Sequence, residues 1–354
     1  MRNICMLGTS PDSKGGIGTV VRGFNQDLKL SRYRFIHVIT HRDVNSFGKI
    51  AVAISAYLRF AKLLKTTEID LVHIHSSFGA SFMRSLPFIR LAIRMDIPIV
   101  NHIHAGDWSV FYDRASDNKK KLIIDTYGSC SKLIALSQEW ANLLGTVAPM
   151  SKIAILENFT PIYDNAHTPN RSSRRVLYMG RLEKEKGIDD LPEICHQVAC
   201  SMPDVVFVLC GEGPLKSWIE SEFSKRGLSK NLSCLGWVDG KTKLSTLKSS
   251  SLFLLPSRFE GMPMSILEAM GLGLPVVATD VGGIPQIVQN RSNGILCAPG
   301  DTEAMASAIV KILGSADLYS DMSTKSKSIA ESHSIPVYSS ELESIYDELL
   351  GARR

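Results

Sequence analysis

Residues 252–285 read LFLLPSRFEGMPMSILEAMGLGLPVVATDVGGIP. Leu252–Leu255 is a continuous apolar run closed by Pro256, Met264–Met270 has a helical period, and Pro275–Ala278 restores a strand. Two strands that are apolar throughout, joined through a helix, form a parallel unit buried on both faces. Ligands of such sheets lie outside the carboxyl ends of the strands. Chemistry is therefore expected in the loop that holds Glu260, with Glu268 eight residues on and about one turn into the helix. Gly261, Met262, Pro263, Met264 and Ser265 lead into that helix and would aim backbone amides at a phosphate. Glu268 would accept from vicinal hydroxyls, the usual carboxylate grip on a ribose. Gly282 and Gly283 follow the second strand and permit another close backbone approach.

The same alternation extends outward in both directions. Upstream lie strand runs Arg175–Met179, Val205–Cys210 and Leu232–Leu235, with helices Asp189–Ala199 and Leu215–Arg226; Gly294–Cys297 follows downstream. An earlier series has strands Asn3–Leu7, Phe35–Thr40, Leu71–His75, Pro98–His102, Lys132–Leu136 and Ile153–Leu156. Helical segments Thr19–Leu28, Val52–Leu64 and Met83–Arg94 separate several of these strands. Thr160–Arg174, rich in Pro, Asn and Ser, reads as the linker. The expected fold class is α/β: two Rossmann-like, doubly wound parallel-sheet domains facing across a cleft. The N-terminal domain spans 1–165 and the C-terminal domain 171–334, while 335–354 holds a final helix, Ile335–Leu350, that crosses back to the N-terminal domain. At roughly 100–200 residues per domain, 354 residues suit two such units.

Composition excludes several classes. With 44% hydrophobic and 21% charged residues the chain is not a disordered one, and no apolar run reaches the length of a membrane span. The opening apolar run is too short for a secretory leader and reads as a first strand. Seven scattered cysteines without a C-x-x-C suggest reduced thiols and a cytoplasmic protein. Residues 1–160 carry a charge balance of +8 and the remainder −3; the asymmetry is either chance surface composition or the mark of an N-terminal half that meets something anionic. Dispersed cations with no zinc-finger spacing or RNP-like aromatic run argue against nucleic acid.

Other post-strand loops add polar groups. Gly15, Gly16 and Gly18 stand just ahead of the first helix; their spacing fits neither a P-loop nor G-x-G-x-x-G, yet they suit an anion at a helix start. GRLEKEKG places Arg181 and Lys186 in one loop, two cations able to clamp a diphosphate. The plainer alternative is a solvated loop in which Glu183 and Glu185 pair with the lysines. GEGP, Gly211–Pro214, makes a further turn. NHIHAGDW ends a strand with His102 and His104, and DLVHIHSS ends its neighbour with His73 and His75, whose role is either structural or on the acceptor side. Strand alternation is expected to turn His102 away from His104's backbone neighbour, though alternation fails once the strand ends. Without D-x-D, helical H-x-x-x-H or zinc-type cysteine spacing, no metal site is indicated.

Taken in order, GGIG, GRLEKEKG, GEGP, FEGMPMSILEAM and PVVATDVGGIP resemble the retaining, nucleotide-sugar-dependent glycosyltransferases of the GT-B fold, family 4. The likeness covers about residues 3–315 and is most specific over 175–290. It implies a donor held mostly by the C-terminal domain and an acceptor held by the N-terminal one. Arg181 and Lys186 would hold the diphosphate, Glu268 the ribose, and Glu260 the donor-sugar hydroxyls near the reacting carbon. Gly16 would let the N-terminal loop close over the diphosphate. His104 matches the family's strand-end histidine beside the donor sugar, Asp107 shapes its loop, and Asn158 matches a structural asparagine before the linker. Gln286 departs from the family's usual Glu, at a peripheral position.

The resemblance implies transfer of a sugar from a UDP- or GDP-linked donor, without a cofactor or metal, to a saccharide hydroxyl with retention of configuration. Backbone near Gly236–Val238, with Val238 the base-contact candidate, would choose the base. Arg59, Lys62 and Lys65 on SAYLRFAKLLK, with Arg84, Arg90 and Arg94 on the next helix, could meet an anionic membrane surface. The acceptor would then be lipid-linked, at the cytoplasmic face. The competing expectations are a GT-B nucleotide-sugar epimerase, which needs no acceptor, and a non-catalytic nucleotide-sugar-binding subunit of a polysaccharide assembly. An NAD-dependent oxidoreductase ranks below both, since the dinucleotide fingerprint is absent.

Overall fold

The computed structural model describes residues 1–104, 106–161, 163 and 168–351. Met1–Asn158, together with the segment from Ile335 onward, makes one compact unit, and Phe159–Ser334 makes the other. Within the linker region, Ile162 and residues 164–167 lie outside the description, as does Ala105 in the loop after His104 and as do residues 352–354 beyond the final helix.

The first unit carries strands β1 (Arg2–Thr9), β2 (Tyr33–His41), β3 (Leu71–Ser76), β4 (Ile99–Ile103), β5 (Lys132–Ala135) and β6 (Ile153–Ile155). Its helices are α1 (Gly16–Gln26), α2 (Ser46–Thr66), α3 (Ala80–Arg94), α4 (Asp117–Ser129) and α5 (Gln138–Leu144). The sheet is parallel with order β2-β1-β3-β4-β5-β6, so the chain reverses direction between β1 and β3. β3 is buried along its whole length, as a strand covered on both faces must be.

The second unit carries β7 (Arg175–Met179), β8 (Val206–Cys210), β9 (Leu232–Gly236), β10 (Leu252–Leu255), β11 (Val276–Thr279) and β12 (Gly294–Cys297). Between them run α6 (Leu191–Ser201), α7 (Lys216–Lys225), α8 (Gly240–Lys248), α9 (Met264–Gly271) and α10 (Ile284–Ile287), followed by α11 (Thr302–Gly314) and α12 (Ala316–Ser332). Read outward from β7, the order β9-β8-β7-β10-β11-β12 is the 3-2-1-4-5-6 arrangement of dinucleotide-binding sheets. Its switch point lies between β7 and β10. All pairings are parallel.

The last helix, α13 (Ile335–Gly351), belongs to the first unit. Tyr346 is fully buried there and its hydroxyl meets His73 Nδ1 at 2.7 Å. Lys132 Nζ pairs with Glu348 at 2.7 Å, and Tyr33 donates to Asp347.

Two helix starts differ from the sequence reading. α2 begins at Ser46, six residues before Val52, because Asn45 caps it by accepting from Gly48 N at 2.9 Å. α1 begins at Gly16 rather than Thr19, so Gly16 and Gly18 lie inside its first turn and not ahead of it. A Cβ on Gly18 would stand 2.0 Å from the Ser13 carbonyl oxygen, and this packing constraint requires glycine there. Gly16 faces open space.

Candidate functional site

In the second unit the polar residues singled out by sequence gather at the carboxyl ends of β7–β11. Lys186, after β7, donates from Nζ to Glu260 Oε1, after β10, at 2.7 Å. This ion pair spans the switch point. Ser257 Oγ donates to the same oxygen at 2.8 Å, and Glu260 is only 9% exposed. Lys186 therefore pairs with neither Glu183 nor Glu185. Glu183 meets Arg181 instead, at 2.5 Å, and Arg181 remains mostly exposed. An ammonium has three donors, so the bond to Glu260 leaves Lys186 capacity for an anion.

Glu268 lies in the second turn of α9 and is buried to 7% exposure. Its Oε1 accepts from Lys243 Nζ, on α8, at 2.6 Å. Sequence reasoning missed Lys243, since a lysine on an exposed-looking helix gives no signal of a buried partner. One oxygen of each carboxylate thus meets a lysine, and among the described residues no hydrogen bond reaches the other oxygen. Both acids keep an acceptor for hydroxyl groups.

The loops are braced from below. Tyr178, fully buried at the end of β7, donates to the Arg181 carbonyl at 2.7 Å. Arg258 ties the loop after β10 to the loop after β7 by donating to Lys184 O, Asp189 and Asp190 at 2.7–3.0 Å. Gly187 has φ +67°, and a Cβ there would stand 1.9 Å from Pro256 O. That position needs both the left-handed backbone and the missing side chain. Gly282 (φ +55°) packs in the same way on Glu260 O, at 1.9 Å from a notional Cβ. Gly211 and Gly213 press on the Gly180 and Leu182 carbonyls.

Met262 and Met264 are buried, whereas Gly261 and Ser265 are half-buried at the start of α9. Pro263 precedes the helix with no side-chain cap, so the first-turn amides of Met264 and Ser265 have no intrahelical acceptor. Val238 lies half-buried between β9 and α8, after Gly236 at φ +69°.

The first unit gathers four histidines at the carboxyl ends of β3 and β4. His75 and His102 are register partners, and His75 Nδ1 lies 2.9 Å from His104 Nε2. The His102 and His104 rings stack at 4.3 Å. Residues two apart in an extended chain share a face, and extension continues through His104, whose N–H still donates to Ser76 O at 2.8 Å. Burial depresses all four: His73 and His104 to about 3, His75 and His102 well below 6.5. His104 is thus a neutral imidazole at pH 7. His73 has a structural partner in Tyr346. Asp107 shapes its loop by accepting from Val110 N at 3.0 Å, and Asn158 is buried.

Nitrogens of His73, His75 and His102 lie within 4.8 Å of one another, a grouping that could hold a metal. Neither H-x-H pair showed this, because the grouping arises only when β3 and β4 align. All three are buried and neutral, and among the described residues no carboxylate joins the group.

Comparisons with known proteins bear on this arrangement. Residues 160–329 match the family described as "Glycosyl transferases group 1", and residues 17–162 match "Glycosyltransferase Family 4". The chain belongs to the group 1, family 4 glycosyl transferases. Sucrose-phosphate synthase from Thermosynechococcus elongatus shares the fold, with TM-score 0.82 at 18% identity, covering 99% of this chain and 100% of that one. Its fold, and that of this chain, is GT-B. Glycogen synthase of Mycobacterium tuberculosis is 28% identical over 275 residues, covering 73% of this chain. The match spans only 64% of that relative's length. An Escherichia coli UDP-Gal:alpha-D-GlcNAc-diphosphoundecaprenol alpha-1,3-galactosyltransferase is 28% identical over 295 residues, covering 77% of this chain and 72% of the relative.

Proposed function

We propose that this family 4 chain transfers a sugar from a nucleoside-diphosphate sugar, with uridine or guanosine as the base, to a hydroxyl of a saccharide acceptor with retention of configuration. The observation that carries the reading is the Lys186–Glu260 pair at the switch point of the second unit, with Glu268 held by Lys243 on the next helix. A cation for phosphate and two carboxylates for hydroxyls meet where dinucleotide-type sheets bind their ligands. Family membership supports it, and the E. coli relative's name specifies a UDP-sugar donor and a diphosphoundecaprenol-borne acceptor.

In this mechanism Arg181 swings from Glu183 to join Lys186 on the diphosphate, and the first-turn amides of α9 add their dipoles. The ribose hydroxyls donate to Glu268, and the donor-sugar hydroxyls donate to Glu260. As the sugar–phosphate bond breaks, the anomeric carbon gains positive charge and the diphosphate gains negative charge, which the fixed cations stabilise. The acceptor hydroxyl attacks from the leaving-group side, and a phosphate oxygen takes its proton. Neutral His104 offers a hydrogen bond to the donor sugar without adding a competing cation. The acceptor is a lipid-linked saccharide held by the first unit, at the inner face of the cell membrane. Charge stabilisation by Arg181 and Lys186 makes the reaction metal-independent.

A thermal-shift panel of UDP, GDP and their sugars tests the donor site directly. One nucleotide and its sugars should raise the unfolding temperature, and Glu268→Ala should weaken that nucleotide in calorimetry. Unchanged affinity removes the ribose role of Glu268. Incubating the donor alone separates transfer from epimerisation: an isomerised sugar would replace this reading with the second.

A further inference from the structure

Helix α2 is apolar on the side that faces water. Its buried side is made by Ala56 and Phe60, with Tyr57, Leu63 and Leu64 packed partly into the core. At about 100° per residue, Phe47, Ile54 and Leu58 fall within about 20° of one line on the opposite side, with Ile50 beside them. They are 86%, 58%, 63% and 60% exposed, and Val44, just before the helix, is 42% exposed. Packing in the sheet unit does not account for this row, since it points directly away from the core. A surface helix ordinarily carries polar residues there.

The charges around the row are of one sign. Lys65 continues the same line and Lys62 lies about 60° from it, while Arg59 stands about 120° round and Lys49 falls on the far side of the helix, all exposed. No Asp or Glu occurs from Val44 to Thr67. Helix α3, packed beside α2, also lacks acids and exposes Arg90, Ile93 and Arg94. Apolar side chains in line with long cations on an acid-free helix match the boundary between acyl chains and anionic headgroups. A second copy fits less well, because pairing two such faces about a two-fold axis would set cations against cations. None of the helices among the described residues is long and apolar enough to cross a membrane, so contact would be along the surface.

We infer that the solvent face of α2 docks the first unit on an anionic bilayer, with Phe47, Ile50, Ile54 and Leu58 entering the interface and Lys62 and Lys65 meeting lipid phosphates. This deepens the lipid-linked acceptor reading above, on which it rests for its purpose but not for its evidence. The chemistry recognised is an anionic lipid surface rather than a free phosphate.

Full-length protein should pellet with vesicles of phosphatidylcholine and phosphatidylglycerol in about 0.1 M salt, remain in the supernatant with phosphatidylcholine alone, and be released in about 0.5 M salt. Ile54→Ser with Leu58→Ser, and separately Lys62→Glu with Lys65→Glu, should each lower partitioning about tenfold or more. These positions are exposed, so the unfolding temperature should stay within a few degrees, and inorganic phosphate at millimolar concentration should not compete. Absence of vesicle binding by folded protein, or equal binding to neutral vesicles, overturns the inference. So does a dimer in sedimentation equilibrium that Ile54→Ser with Leu58→Ser dissolves. Nucleotide affinity, measured on the same preparations, separates the two readings: nucleotide bound without vesicles sinks only the docking, and vesicles bound without nucleotide sinks only the donor site.

Discussion

Lys186 and Glu260 hold each other in place before any donor arrives, and the separate consequences of removing each are measurable. Lys186→Ala takes a cation from the proposed diphosphate site and leaves Glu260 with only Ser257 on Oε1. Turnover should fall by about 10²–10³, the equivalent of about 2.7–4 kcal/mol, as when an oxyanion donor is lost. Initial rates with the preferred donor check this, and a change of twofold or less refutes the clamp. The acids Glu260 and Glu268, and the cations Arg181 and Lys186, stood out in the sequence because a strand-end loop rarely needs so many polar groups, and the fold brings Lys186 to Glu260. Lys243, Arg258 and Tyr178 did not: each acts through a partner more than two dozen positions away or through a backbone carbonyl, and residue type alone does not announce either.

At the scale of elements, the strands declared themselves because both units need apolar runs buried on two faces, and β7, β10 and β12 fall on the expected residues. The helix starts were harder to place. α2 starts six residues ahead of the helical period that the sequence shows, because Asn45 accepts from Gly48 N, and the exposed apolar side of α2 obscured that period. The histidine ladder on β3 and β4 makes a pH prediction. His73 and His104 are held near 3 in the folded chain against an ordinary 6.5, so between those values the unfolded chain binds more protons. Stability therefore falls as pH drops below about 6.5, by up to about 1.4 kcal/mol per pH unit for a fully buried histidine such as His73. Urea midpoints at pH 7, 6 and 5 should decline, and His73→Gln should flatten the slope. The loop beneath the donor site is equally constrained: Gly187→Ala should destabilise by about 2 kcal/mol or more and reduce nucleotide affinity together. Intact affinity would show that the loop adjusts.

For the whole molecule, the two units differ in how their chain is assembled. The second is one continuous segment, Phe159–Ser334, whereas the first needs α13 from the far end of the sequence. Truncation after Ser334 should leave Phe24, Tyr33 and His73 without their cover and make the first unit aggregate, while limited proteolysis still yields a folded fragment of the second. Tyr346→Phe is the milder probe. It strands a nitrogen of buried His73 and should cost about 1–3 kcal/mol, read from the urea midpoint. Activity of the intact protein should survive EDTA if, as proposed, the phosphate charges are met by arginine and lysine; loss that zinc or magnesium restores would transfer that role to a metal.

The return of α13 to the first sheet sets an order on biogenesis. A ribosome delivers β1 through β6 long before the helix that covers His73 and Tyr33 exists. Although it emerges later, the second unit is complete on its own, while the first waits, one side of its sheet uncovered, for the seventeen-residue helix α13 to leave the exit tunnel. The half that is translated first therefore matures last, and for that interval it is the natural client of a chaperone.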